Sequence, residues 1–141
     1  MTTTSTSATP TLGDLLRAKI QRDVDTASRL AQEKVDAAKA LAEKEERIVQ
    51  NLFDNAKSQF QADILAGRAI ERIKVGDGTN DDAAALLCQW SKPPTAKVHR
   101  FHSFWVDFET WASSNGLVAV WDYGHTGDGM RGWQTLSVTP L

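Results

Sequence analysis

Between Asp14 and Ala66 the chain contains neither glycine nor proline, and the whole sequence holds one cysteine, one tyrosine and two methionines. A single thiol, Cys88, excludes an internal disulfide framework, and it is expected to serve as a small buried apolar group. No apolar run approaches the ~18 residues that a bilayer-spanning helix needs, so no membrane partner is expected. A marked excess of either charge is missing as well. The 16 basic and 18 acidic residues leave a net charge of −2, too little to attract nucleic acid or anionic lipid through a global field. The N-terminal stretch MTTTSTSATPTLG has neither the basic n-region nor the apolar h-region of a secretory leader. Residues 1–12 are expected to form a flexible Ser/Thr-rich arm. The expected location is a virion or the cytoplasm, without secretion through a signal peptide.

What fills the gap between the first glycines is a run of good helix formers: Ala, Leu, Glu, Lys, Gln and Arg. Thr11 followed by Asp14 marks a helix start, and Gly67 is the first candidate stop. The apolar residues of this run recur every eleven positions. Ile20, Ala31, Ala42, Phe53 and Ile64 form one series. Ala27, Ala38, Val49 and Phe60 form a second, and Leu30, Leu41 and Leu52 a third. Val24 and Val35 continue the scheme until it lapses at Glu46 and Lys57. Eleven residues in three turns is about 3.67 per turn, which keeps the stripe on one face of a nearly straight helix. Heptads fit less well, because a strict step of seven from Ile20 reaches Lys34. Charges on the opposite side, such as Asp25/Arg29 and Glu43/Arg47, suit a solvated face.

A helix of about fifty residues runs roughly 75 Å, longer than any domain this chain can build, so the stripe requires a partner. Self-association is the preferred expectation, a coiled-coil stalk over residues 13–67. Its seam would hold Ile20, Val24, Ala31, Val35, Ala42, Val49, Phe53, Phe60 and Ile64. The alternative is a break near Glu43–Arg47 that folds the run into an antiparallel hairpin.

Beyond residue 67 the composition changes. All five Trp, the Tyr and three of the five Phe lie after position 89. Ile70–Val75 fits a short strand or the last helical turns, and Asp82–Trp90 a short apolar helix capped by Asn80 or Asp81. Thr95–Arg100 suits a connection or an edge strand. Phe101, Phe104, Trp105, Phe108, Trp111 and Ala112 fall on one side of an amphipathic helix that ends at Ser114-Asn115-Gly116. Leu117–Tyr123 and Trp133–Val138 are expected strands, joined by the glycine-rich loop GHTGDGMRG. The expected fold class is α+β. A long N-terminal helix precedes a small Trp-rich head (residues 68–141) of two helices and a β-hairpin or small antiparallel sheet. The aromatic stripe is expected in the head's core, and Trp121, His125, Arg131 and Trp133 are its candidate partner contacts.

One stretch carries a specific chemical suggestion. VGDGTNDDA, residues 75–83, resembles the last acidic loop of haloacid-dehalogenase-type phosphatases and P-type ion pumps. There such a loop follows a strand, opens a helix and holds Mg²⁺ through its aspartates. The resemblance covers about six residues of 141. A phosphatase of that type also needs a strand-end nucleophilic aspartate in a DxDx[TV] motif. The nearest candidate, Asp23-Val24-Asp25-Thr26, continues into Ala27 and lies on the long helix. Asp, Gly, Asn and Thr are equally what a tight turn and a helix start demand, and that is the expectation here. His99, His102 and His125 lack the paired spacing of a zinc site. Lys92, Lys97, His99 and Arg100 beside Phe101 and Trp105 make too weak a basic–aromatic patch to predict nucleic-acid binding. Neither a cofactor nor a metal is expected.

Together these features predict a non-enzymatic, homo-oligomeric structural, assembly or adaptor protein. It would assemble through the helix and contact other proteins of a larger assembly through the head. By analogy of design, phage and other virion components are of this kind. The alternative is a small binding module whose helical hairpin sequesters a peptide, nucleotide or nucleic acid. A Mg²⁺-dependent phosphohydrolase ranks third.

Overall fold

In the computed structural model, residues 9–76, 78–88, 93–125 and 132–141 are described. The fold is α+β. Helix α1 spans Leu12–Leu65, followed by strand β1 (Ile73–Val75), helix α2 (Asp81–Leu87), helix α3 (His102–Ser114) and strands β2 (Leu117–His125) and β3 (Gly132–Pro140). The chain divides into two compact units, Met1–Ala42 and Glu43–Leu141.

Both ends of α1 follow from local chemistry. The Thr11 hydroxyl accepts from the Asp14 backbone N–H at 3.1 Å, and the Asp14 carboxylate accepts from the Thr11 N–H at 3.1 Å. This reciprocal capping box satisfies two donors that the first turn would otherwise leave open. At the other end Gly67 takes a φ of +68°. Its N–H reaches the Ile64 carbonyl at 3.1 Å, and the Arg68 N–H reaches Asp63 at 2.8 Å. That is a Schellman stop, and it needs a residue without Cβ at the left-handed position. Between these ends α1 is a single unbroken helix of 54 residues. The alternative break near Glu43–Arg47 does not occur, because no residue there gives up its helical backbone. The polar side repeats with the apolar one. Gln21 donates to Asp25 at 2.8 Å, and Gln32 to Asp36, eleven residues on, at 2.9 Å. Asp25 is thus held by Gln21 and not by Arg29.

In the unit Glu43–Leu141 the sheet is antiparallel with order β1-β3-β2. Leu136 on the central strand pairs with Ile73 on one side and Trp121 on the other. The buried residues Val75, Leu136 and Val138 come from the sheet, and Phe101, Trp105, Phe108 and Ala112 from α3 and its start. The C-terminal part of α1 supplies Val49, Leu52, Phe53, Ala56 and Phe60 to the same core. Phe108 sits among aromatics, with ring centroids 5.6 Å from Phe53, 6.3 Å from Phe60 and 6.0 Å from Trp105. Trp121 closes this cluster edge-on to Trp105 at 6.1 Å. Such tilted and edge contacts suit the ring quadrupoles.

Candidate functional site: an apolar face on the first helix

The register of eleven separates two fates on one helix. In the unit Glu43–Leu141, four columns of the repeat point into the core. They are those of Val49 and Phe60, of Leu52, of Phe53 and of Ala56, and all five residues are buried. The Val49, Leu52 and Phe53 columns continue upstream through Ala38 and Ala27, through Leu41 and Leu30, and through Ala42, Ala31 and Ile20. Val24 and Val35 flank them. In the unit Met1–Ala42 these side chains have no core to enter. Ile20 is 52% exposed, Val24 53%, Val35 60% and Leu41 57%. Scattered apolar residues on a surface are ordinary, but apolar columns of this regularity make this side of the helix the candidate interaction face.

The residues expected in an oligomer seam therefore divide. Ile20, Val24, Ala31 and Val35 are exposed, and Ala42 is half-buried. Ile64, near the C-terminal end of α1, is 43% exposed. Val49, Phe53 and Phe60 correct the expectation. They are sealed inside this chain's own core, at 0%, 1% and 0% exposure, and cannot also line a contact with a second chain. The reason is compositional. The repeat turns from Ala and Val to Phe where the head's aromatic helix α3 packs against it.

Of the candidate head contacts, Trp121 is half-buried, and its indole N–H donates to the Gln134 side-chain oxygen. Trp133 is also half-buried, with the Lys74 ammonium 5.3 Å from the centre of its ring. Both indoles are thus largely spent on contacts within the head. Arg131 and the side chain of His125 lie outside the described residues, as do the tip of the glycine-rich loop and the first eight residues of the expected arm.

The described residues of the loop after β1 bend back toward the strand. The Gly76 N–H donates to the Thr79 carbonyl at 3.1 Å, Gly76 and Gly78 have φ of +106° and +70°, and Asn80 at +54° precedes α2. The expected side-chain cap is not made. The Asn80 amide instead donates back to the Lys74 carbonyl at 3.1 Å, pinning the turn to the end of β1. Strand, loop and helix are present, but β1 is an edge of an antiparallel sheet, and Asp23 and Asp25 lie on α1. Asp77 lies outside the described residues. Beside this turn, Asn51, Asn55, Asn80, Asp81 and Asp82 border an open depression of about 260 Å³. Among the described residues no group of three or more His, Cys, Asp or Glu is placed to hold a metal ion. No helix among them is long and apolar enough to cross a membrane.

The histidines show what sequence reasoning missed. Their spacing gives no sign that His99 is 6% exposed, with its ring bonded at both nitrogens. Nδ1 accepts from the Phe101 N–H at 3.0 Å, so the proton is on Nε2, which donates to the Leu87 carbonyl at 3.2 Å. Burial lowers its pKa, the bond to Leu87 partly opposes this, and the nearby His102 adds to the lowering. His102 Nδ1 lies 2.9 Å from the Pro94 carbonyl. Two imidazoles thus hold the turns of residues 94–101 against α2 and α3. A histidine two residues before a buried aromatic was the only available signal. Arg100 is equally committed, 2.7 Å from the Glu45 carboxylate and stacked 4.6 Å from the centre of the Phe101 ring. The Phe101 and Trp105 rings are buried. Cys88 is half-buried, its thiol aimed at the Val75 carbonyl 3.8 Å away, and burial pushes it up to about 11.

Comparison with known proteins returns no match: no family model, no curated protein and no solved structure resembles this chain.

Proposed function

We propose that this chain is a non-enzymatic assembly or adaptor protein that associates with copies of itself through the N-terminal half of α1. The head then presents a surface to other proteins. One observation carries this reading. The columns that form a core in Glu43–Leu141 continue upstream through Ile20, Ala27, Leu30, Ala31 and Leu41 with no core to meet, and Val24 and Val35 flank them. Burying such a face against a second chain removes apolar surface from water, at about 25 cal/mol per Å². It also adds tertiary packing to a helix segment that otherwise rests on propensity alone. A role in a virion fits this design and remains part of the same proposal.

The test is the solution mass of the full chain by light scattering, beside Ile20→Glu and Val35→Glu. These side chains contribute nothing to the head's core, so the head's tryptophan spectrum stays unchanged in both. An oligomer in the parent that becomes a monomer in the variants is the expected result. A monomeric parent across the micromolar range would overturn the proposal. It would favour a binding module built on the head alone.

A further inference from the structure

Two charges stand inside the exposed face, and they are of opposite sign. The fully buried Ala56 identifies a column of the repeat that faces inward. Counting back by elevens, the same column holds Glu45, Lys34 and Asp23. At eleven residues per three turns, this column lies about 33° from that of Leu30 and Leu41 and about 33° from that of Ala27 and Ala38. Asp23 and Lys34 are therefore within the apolar stripe. Asp23 is joined to Lys19 of its own helix at 3.2 Å, while Lys34 has no ion-pair partner among the described residues.

A second copy can satisfy these charges in only some arrangements. Parallel and in register, Asp23 meets Asp23 and Lys34 meets Lys34, two like-charge contacts within an apolar seam. Antiparallel, with the dyad between Ser28 and Arg29, Asp23 of each copy meets Lys34 of the other, and both charges are paired twice over. Sliding the antiparallel pair by one repeat either way sets Asp23 against Asp23 or Lys34 against Lys34. A parallel stagger of eleven makes the pair once, sets the other Lys34 against a Glu45 that Arg100 already holds, and leaves an open-ended contact. The antiparallel register also sets apolar residues level with one another at both ends: Leu16 of one copy meets Leu41 of the other, and Ile20 meets Ala37. Almost the whole exposed stretch is covered, since Leu15 comes level with Ala42.

Resting on the self-association proposed above, we infer that the occupant of this face is a second copy of the chain, bound antiparallel with Asp23 opposite Lys34. A single buried polar position commonly sets register and orientation in helical pairs.

The test uses the full chain carrying Cys88→Ala. Asp23→Cys and Lys34→Cys proteins are mixed in equal amounts and mildly oxidised. The expected product is the mixed 23–34 disulfide, because the mixed dimer brings the two thiols level and keeps the other Asp23–Lys34 pair. Lys34→Asp alone weakens association by at least about tenfold, and the exchanged Asp23→Lys/Lys34→Asp chain recovers most of it. Disulfides of 23 with 23 and of 34 with 34, with no rescue by the exchange, would overturn the antiparallel register and leave self-association standing. An oligomer with any other cross-link pattern overturns the register as well. A parent that is monomeric by mass overturns both.

Discussion

The ring of Phe53 lies 5.6 Å from that of Phe108, and Phe53 belongs to the same eleven-residue series as Ile20. One is sealed in an aromatic core and the other is half exposed. A single periodic pattern on one helix thus does two things in succession. It completes a domain where α3 and the sheet are available, and it stays open where they are not.

The first prediction concerns the sealed part. Phe108 touches Phe53, Phe60, Trp105 and Trp111, so truncating it leaves a void lined by rings that cannot all close in. Phe108→Ala and Phe53→Ala should each cost ~3–5 kcal/mol of head stability. Urea unfolding followed by tryptophan fluorescence measures this directly. Loss of mass without loss of stability in Phe53→Ala would mean that the ring faces another chain instead.

The second concerns pH. His99 has its Nδ1 turned to the Phe101 N–H, and a proton added there would set two donors face to face. Its folded pKa lies below the ordinary 6.5, whereas in the unfolded chain it is normal. The unfolded state therefore binds the proton first. The contribution of His99 is fully present above pH 6.5 and is lost as pH falls through its lowered folded value. The urea midpoint should fall between pH 7.5 and pH 5, and His99→Gln should flatten that dependence. An equal fall in the variant would assign it to the carboxylates.

Much of this architecture is legible in the residues, and the exceptions have identifiable causes. The glycine-free run, the Thr11–Asp14 start and the Gly67 stop are local signals, and local backbone chemistry decides them. The spacing of Phe101, Trp105, Phe108 and Ala112 likewise predicts the buried side of α3. What periodicity cannot tell is which partner a column meets. Val49 and Ala38 occupy equivalent positions in the repeat, yet only Val49 is covered, because coverage depends on α3 and the sheet arriving from far along the sequence. The His99–Leu87 bond and the Arg100–Glu45 pair are long-range for the same reason. The GDG loop is ambiguous for a different reason: turn formation and Mg²⁺ binding call on the same small and acidic residues, and the strand before it is an edge of an antiparallel sheet.

A third prediction follows from Cys88. Raising its pKa from 9.0 to about 11 reduces the thiolate fraction near pH 8 by about 100-fold. Alkylation in the native protein should be slower than in urea by at least that factor, since the thiol is also half-buried. Native and denatured rates within tenfold of each other would show that the Val75–Cys88 contact opens readily.

The last prediction separates the two units by their spectroscopic signals. Every tryptophan of the chain lies beyond residue 89, within the unit Glu43–Leu141. The unit Met1–Ala42 contributes helix from Leu12 onward and no aromatic residue. A helix segment with its apolar side in water rests on propensity without tertiary packing, so its order should depend on association. Association shifts stability by mass action, and the shift grows with the logarithm of protein concentration. On dilution from about 100 μM to about 1 μM, far-UV ellipticity should therefore drop and its thermal transition move down, as helix is lost from residues 12–42. The near-UV tryptophan signal should keep its amplitude and melt at a concentration-independent temperature, because the head's core is complete within one chain. Ile20→Glu should abolish the concentration dependence of the first signal and leave the second alone. A far-UV transition that does not move with concentration would mean that the segment is helical without a partner, and the exposed columns would then lack the energetic reason for pairing argued above.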